Sequence, residues 1–217
     1  MKKRKYVILC ALLCAVVAAG AVVPTLAWLS SKSPEVKNVF IGQGITVSLD
    51  EAKIENNKVV SDAERVIRNN YTYVAGSVLP KDPTPTVKAN SADAYVFVVV
   101  ENENSDIFSV DIQSGWTEIA ESADKSKTVY VYKEVVKQDK TEDTKLDAVF
   151  TKVTVSSELT SDKLASLNSE EFIKATAYAI QAQAIDKKTA FDKAVENLLG
   201  ENVTVNYSVS VKGAADE

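Results

Sequence analysis

The chain of 217 residues contains no histidine, one methionine and two cysteines, Cys10 and Cys14. Without histidine, the protein cannot perform catalysis through a Ser-His-Asp or Cys-His arrangement. It also cannot form the His-Glu-x-x-His zinc site of metalloproteases. These absences exclude most of the common hydrolase sites. The composition, with 46% apolar and 25% charged residues, is otherwise typical of a chain that folds into one domain with a substantial core.

The first 27 residues have the pattern of a secretory signal peptide. Residues 1–5 (MKKRK) carry four positive charges, and residues 6–27 form an uncharged, mostly apolar run that ends in small residues. A signal peptide has this order of features, so we expect cleavage after Ala27, which leaves Trp28 first. The alternative is an uncleaved anchor, because these 22 uncharged, mostly apolar residues are enough to span a bilayer. The protein would then contact the membrane only through this segment.

Cleavage would change the composition of the exported chain. Residues 28–217 contain no cysteine and no methionine, and the loss of four bases from 25 leaves 21 bases against 30 acidic residues, a net charge of −9. Since no disulfide can form, packing and backbone pairing must stabilise the exported protein. An acidic chain without a basic block does not favour nucleic acid or an anionic membrane surface as a partner.

Residues 45–217 have the pattern of short β-strands. Residues 45–50 alternate, with Ile45, Val47 and Leu49 on one face, and this period predicts a half-buried strand. Residues 94–102 (AYVFVVVEN) are apolar on both faces, as a covered central strand requires. Further strands are predicted over residues 107–112, 128–136, 149–155 and 202–211, with Trp116 between two of them.

Two stretches between the first strands carry weaker signals. Residues 51–70 are polar and weakly helical, which predicts a surface excursion. Three prolines follow between residues 80 and 85. Because proline cannot donate to a β-ladder, we expect the next strand to begin after Pro85 or to lie at an edge.

Two short helices complete the predicted fold. Thr160 or Ser161 can cap the first, and residues 186–200 carry apolar residues at helical spacing before Gly200. Residues 172–185 are ambiguous, because their alanines favour a helix while their alternation favours a strand. Seven or more strands with few helices predict a mainly β fold, an antiparallel jelly-roll-like β-sandwich over residues 45–217. Residues 28–44 form a separate N-terminal segment.

Candidate ligand-binding residues are few. Residues 101–106 (ENENSD) gather carboxylates and amides in one turn that could hold calcium, but the turn lacks the spacing and the glycine of a calcium loop. Aromatic side chains could stack on sugar rings, although packing is the simpler interpretation; they are Tyr71, Tyr73, Trp116, Tyr130 and Tyr132. We therefore expect neither an enzyme nor a cofactor or metal site.

The order of motifs along the chain resembles the TasA/camelysin family of exported proteins. The similar stretches are YVAGSVLPKDPTPTVKANSADAYVFVVVEN (73–102), AVFTKVT (148–154) and TAYAIQAQAIDKKTAFDKAVENL (176–198). The last resembles a late strand followed by a short helix in the family, which favours a strand within residues 172–185. The sequence departs from the family at Ala75, where a proline is usual, and in its extension beyond Gly200.

The resemblance implies a secreted structural subunit of biofilm-matrix or cell-surface fibres in a Gram-positive bacterium, processed by a SipW-type signal peptidase. It also implies self-assembly by donor-strand exchange, in which the N-terminal segment of one subunit completes the sheet of the next. Docking of this segment would satisfy a row of backbone hydrogen bonds, and head-to-tail contacts that do not close produce a filament. The candidate donor residues are Trp28, Leu29, Val36, Val39, Phe40 and Ile41.

Two alternatives remain open at this point. The N-terminal segment could fold back onto its own subunit. The domain could also be a monomeric cell-surface binding module for a carbohydrate or a protein, which would depend on exposed aromatic side chains and would tolerate the loss of residues 28–41.

Overall fold

The computed structural model describes residues 30–32, 44–137, 139–167, 173–183, 185–200 and 203–214. Within these ranges the chain is mainly β, and all the strands that neighbour each other in its sheets run antiparallel. The predicted mainly β, antiparallel fold with two short helices is therefore confirmed. The strands are β1 (Ser30–Lys32), β2 (Val47–Asp50), β3 (Ile54–Glu55), β4 (Lys58–Val59), β5 (Val78–Pro80), β6 (Thr84–Val87), β7 (Ala94–Glu101), β8 (Phe108–Ile112), β9 (Trp116–Glu121), β10 (Lys127–Tyr132), β11 (Thr144–Lys145), β12 (Phe150–Val155) and β13 (Lys174–Gln181). The helices are α1 (Ser161–Ser166) and α2 (Lys187–Leu199).

β7 lies at the centre of the largest sheet, whose strand order is β1-β13-β7-β10-β9. It pairs along its whole length with β13, from Glu101 opposite Lys174 to Ala94 opposite Gln181. Two three-stranded sheets, β11-β6-β2 and β5-β12-β8, and the hairpin β3-β4 complete the described strands. Because β7 is buried from Ala94 to Val100, the prediction of a covered central strand is confirmed.

One face of the five-stranded sheet packs against the two three-stranded sheets. Val96, Val98 and Val100 of β7 lie in this first core, together with Val47 of β2 and Phe150 of β12. Apolar residues from all three sheets therefore share one interior, which arranges the sheets as two facing layers.

The other face of the five-stranded sheet is covered by α2. Tyr95 and Phe97 alternate with the valines of the first core and point to this second core, where the rings of Phe97 and Phe191 meet edge to face at 5.9 Å between centroids. Asp186 caps the start of α2 through its side chain, and Gly200 ends the helix in the left-handed region, at a φ of 71°. The predicted second helix is confirmed. The three-stranded sheets therefore bury one face of β7, and α2 buries the other.

Other strand predictions also agree with the structure. The strands predicted over 45–50, 107–112, 128–136 and 149–155 correspond to β2, β8, β10 and β12, with differences at their ends. Residues 172–185 contain a strand, β13, as the resemblance favours. α1 follows Thr160, whose hydroxyl accepts a hydrogen bond from the Lys163 N–H at 3.3 Å.

The weakly helical prediction for residues 51–70 is wrong, because this excursion contains a β-hairpin. Asn56 and Asn57 join β3 to β4 and have φ angles of 50° and 59°. A two-residue type I′ turn requires this left-handed conformation at both positions, and asparagine adopts it more readily than most residues. The preference of the two asparagines for this turn therefore favours a hairpin more strongly than the weak helical pattern favours a helix.

The prediction that a strand begins after Pro85 or lies at an edge is also wrong. β6 begins at Thr84, contains Pro85 and lies between β2 and β11. Pro85 is opposite Leu49 of β2, and its carbonyl accepts a hydrogen bond from the Leu146 N–H, just beyond β11, at 2.9 Å. Since the N and C=O of one residue point to the same side of a strand, the missing N–H of Pro85 faces the end of this short ladder, where its loss costs least.

Trp116 lies between two of the predicted strands, as expected, but it begins a further strand that the sequence pattern does not predict, β9, at an edge of the five-stranded sheet. One more prediction needs correction. The described part of the predicted strand over 202–211, residues 203–211, contains no strand. Val209 and Val211 are nevertheless buried in the second core, and the Asn206 N–H donates to the Ile119 carbonyl at 2.8 Å. The alternation in this segment therefore reflects burial without a β-ladder.

Arg65 fastens the excursion to the sheet β11-β6-β2. Its guanidinium pairs with the carboxylates of Asp50 and Asp82, donates to the Thr84 hydroxyl at 2.9 Å, and reaches the carbonyls of both aspartates at 3.0 Å. The planar fork of arginine suits such a set of acceptors better than a lysine ammonium would.

We expect Arg65→Met to lower the free energy of unfolding by about 2–3 kcal/mol, because two partly buried carboxylates would lose their partner. The matched control is Lys53→Met, which removes an ion pair with Glu55 whose side chains are 45% and 58% exposed. This change should cost less than about 0.5 kcal/mol. Urea unfolding followed by circular dichroism measures both, and equal losses would show that Arg65 has no special role.

Candidate functional site

β13 is the strand on which the N-terminal part of the chain meets the five-stranded sheet. One side of β13 pairs with β7. On its other side, Ser30, Ser31 and Lys32 of β1 lie opposite Ile180, Ala179 and Tyr178. Since β13 has eight residues and β1 has three, this pairing uses less than half of the outer side of β13.

The side chains of β13 alternate between the two cores. Ala177 and Ala179 belong to the first core, whereas Tyr178 and Ile180 belong to the second. A helix would bury only one stripe of this sequence, so burial on both faces decides for a strand despite the helical preference of alanine. The arrangement places small side chains on the face of β13 that is directed toward the first core.

The opposite edge of the same sheet, β9, is protected in three ways. Its pairing with β10 shifts between Glu118 and Ala120, so that Ile119 forms a β-bulge. The Asn206 N–H of the C-terminal segment donates a hydrogen bond to the Ile119 carbonyl. Glu118 and Glu121 also place exposed carboxylates along the edge. Bulges, charges and covering segments are the devices that prevent edge-to-edge pairing. Without the three residues of β1, the sheet would thus end at β13 on one side, where a strand can pair, and at the protected β9 on the other.

A shallow groove separates the protected edge from the C-terminal segment. Although the Glu118 side chain is exposed, neighbouring atoms partly desolvate its carboxyl group, and this effect, together with the charge of Glu121, raises the pKa of Glu118 above the ordinary value of 4.5. The groove is lined by residues 118–121, 123, 203, 204 and 206.

The aromatic residues Trp116 and Tyr132 are occupied by contacts within the fold. They are 4% and 7% exposed, and their ring centroids are 5.1 Å apart. Asp147 holds both, since its carbonyl accepts from the Trp116 indole N–H at 3.1 Å and its carboxylate accepts from the Tyr132 hydroxyl at 3.1 Å. Lys133 also donates to this carboxylate, at 2.7 Å, and lowers the pKa of Asp147. A Cβ at Gly115 would approach a carboxylate oxygen of Asp147 to 2.7 Å, so a larger residue there would displace this carboxylate.

The other three aromatic residues pack at the margin of the first core. The Tyr71 hydroxyl donates to the Pro80 carbonyl at 2.8 Å, and burial raises its pKa. Tyr73 meets Phe108 edge to face at 5.4 Å between centroids, and Tyr130 is partly buried against the same core. All five aromatic candidates are therefore used, at least in part, for packing.

The acidic turn of residues 101–106 is organised by contacts within the chain. The Asn102 side chain donates to the first carbonyl of β8 at 2.8 Å, Glu101 pairs with Lys127 at 3.4 Å, and Asp106 pairs with Lys163, which lowers the pKa of Asp106. Lysines are thus the partners of these carboxylates. The described residues include no group of three or more His, Cys, Asp or Glu placed to hold a metal ion.

The predicted cleavage position and donor residues lie outside the described residues; they are Ala27, Trp28, Leu29, Val36, Val39, Phe40 and Ile41. Ser30–Lys32, between them, are described and pair with β13 of their own chain. For these three residues, the structure has the fold-back arrangement. Sequence reasoning did not single them out, because two serines and a lysine carry no strand signal.

We expect Glu118→Gln to stabilise the protein at neutral pH and to have little effect at pH 3. The pKa of the Glu118 carboxyl is raised in the folded protein, so ionisation disfavours the folded state as the pH rises above the unfolded value of about 4.5. Glutamine cannot ionise, and its advantage should therefore appear between about pH 4 and 7. Thermal unfolding at both pH values measures the effect.

The matched control is Glu103→Gln, in the exposed turn that follows β7. It removes the same charge away from β9 and should give a smaller gain at pH 7. An advantage of Glu118→Gln that is equally large at pH 3 would contradict the electrostatic explanation.

No family model, no curated protein and no solved structure matches this chain. None of the described helices is both long and apolar enough to span a membrane. The function therefore has to be inferred from the residues and the geometry of the chain itself.

Proposed function

We propose that the protein is a secreted structural subunit of extracellular biofilm-matrix or cell-surface fibres, and that it self-assembles by exchange of its N-terminal strand once the signal peptide is removed. The unequal edges of the five-stranded sheet carry this proposal. β13 accepts a strand from the N-terminal part of the chain, while β9 is closed by a bulge, carboxylates and a covering segment. A sheet that accepts a strand at one edge extends head to tail, which yields an unbranched filament.

The layered architecture is consistent with a jelly-roll-like β-sandwich, which we include in the proposal. Consecutive strands β6 and β7 lie in different sheets, as do β12 and β13. Such crossings between two layers that share one core are a feature of jelly rolls.

The N-terminal segment has the composition of a docking strand. Burying about four of its large side chains would contribute on the order of 6–12 kcal/mol before ordering costs. The side chains of Ala177 and Ala179 on β13 are small and face the first core. Removal of residues 1–27 by a SipW-type signal peptidase would delay docking until after export.

The binding-module alternative has less support. A glycan site of stacked aromatics needs open ring faces, but Trp116 and Tyr132 are buried and stacked on each other.

The proposal predicts that the exported chain, residues 28–217, forms filaments, whereas a chain that begins at Gly44 remains monomeric. The shorter chain lacks the exchanging strand but retains both hydrophobic cores, so its circular dichroism should match that of the longer chain. Negative-stain microscopy and size-exclusion chromatography measure the difference.

A synthetic peptide of residues 28–43 provides the matched control. It should bind the shorter chain, while a scrambled peptide of the same composition should not. Monomers from both chains, at high concentration and across pH, would contradict intrinsic self-assembly.

A further inference from the structure

We infer that β1 is a resting occupant of the acceptor edge: in a single subunit, Ser30–Lys32 occupy the place on β13 that Ser30–Lys32 of a second copy take in the fibre. The inference rests on the proposed function and specifies how assembly is held back. Its basis is the pairing of β1 with β13 within one chain, in a defined register from Ser30 opposite Ile180 to Lys32 opposite Tyr178.

One strand edge cannot serve two partners over the same stretch. The other side of β13 is fully paired with β7, so the outer side offers a single row of N–H and C=O groups. While β1 of the same chain uses the row at Tyr178, Ala179 and Ile180, an incoming strand cannot pair there. The closed subunit therefore cannot pair with β1 of a second copy in this register until its own β1 is released.

The hold of β1 on this edge is weak in comparison with the rest of the sheet. β1 contributes three residue pairs, whereas β7 and β13 share eight. None of its residues is β-branched or aromatic, which are the types that favour strands. Release thus breaks a short ladder and leaves the central sheet intact.

The connecting chain allows the exchange. Eleven residues, 33–43, separate β1 from Gly44, and a chain of this length can span up to about 36–40 Å. The same strand can therefore reach its own β13 or that of an adjacent copy, which is the geometry of a domain swap. Exchange then forms the same residue pairs between copies that the closed subunit forms within itself.

This arrangement makes opening of the subunit the slow step of assembly. A growing fibre end presents a β13 edge from which β1 has been withdrawn, whereas free subunits are closed. Fibre growth should therefore show a lag that preformed fibre fragments remove.

A disulfide across the β1–β13 ladder tests the inference directly. Ser31 and Ala179 are opposite each other, and Cα atoms of an antiparallel pair lie within disulfide reach. The experiment uses the full chain expressed from Met1 so that natural processing occurs, with C10A and C14A in every variant. S31C/A179C, oxidised at high dilution, should become an internally cross-linked monomer that forms no filaments, and reduction should restore filament formation.

Two controls accompany this variant. S31C/K174C places the second cysteine five positions out of register, so it should neither cross-link nor lose filament formation under oxidation. The single variants S31C and A179C, given different mass tags and mixed, should form S31C–A179C disulfide dimers in filaments and none as dilute monomers. If the reduced double variant fails to assemble, this mixture still shows whether β1 of one copy pairs with β13 of another.

The possible failures are distinguishable. If the wild-type chain forms filaments, but oxidised S31C/A179C does so too and the mixed single variants never cross-link, the resting-occupant inference is overturned and the proposed function stands. If the wild-type chain forms no filaments, the proposed function fails and this inference fails with it.

Discussion

The burial of β7 on both faces is the constraint on which the rest of the structure depends. Seven consecutive residues, Ala94 to Val100, are at most 4% exposed, and a strand that is apolar on both sides has to be covered on both sides. The three-stranded sheets cover one face and α2 covers the other. Each remaining element can be understood as a cover, a neighbour that satisfies the backbone of β7, or a connection between these.

A sheet built outward from such a centre ends in two edges, and the protein treats them differently. At β9 the backbone is distorted, charged and partly capped by the C-terminal segment. At β13 the backbone stays regular and pairs with a three-residue strand from the far end of the sequence. This contrast between the two sides of the sheet supports the proposed directional assembly more than any single side chain does. The absence of histidine, which excludes histidine-dependent catalysis, is consistent with such a structural role.

The sequence predicts those parts of the fold that follow from local pattern. β7 could be predicted because its run of apolar residues is continuous, and α2 because its apolar residues follow the helical period up to Gly200, where the helix ends. The hairpin at Asn56 and the central position of Pro85 depend on turn geometry and on where a ladder stops, which periodicity does not contain. The positions of β9 and β1 depend on pairing with residues that are distant in the chain. For this reason the candidate site, unlike the core, could hardly be predicted from the local sequence pattern.

The hairpin β3-β4 has a consequence for how the surface of the protein can vary. Its turn lies in an excursion whose base is fastened by Arg65, and Asn56 at the tip is exposed. Extra residues inserted at such a tip lengthen a loop without entering either core. A label or a foreign epitope placed at Asn56 would therefore appear once on every copy of the chain, and in the proposed fibre it would form a regular array along the surface.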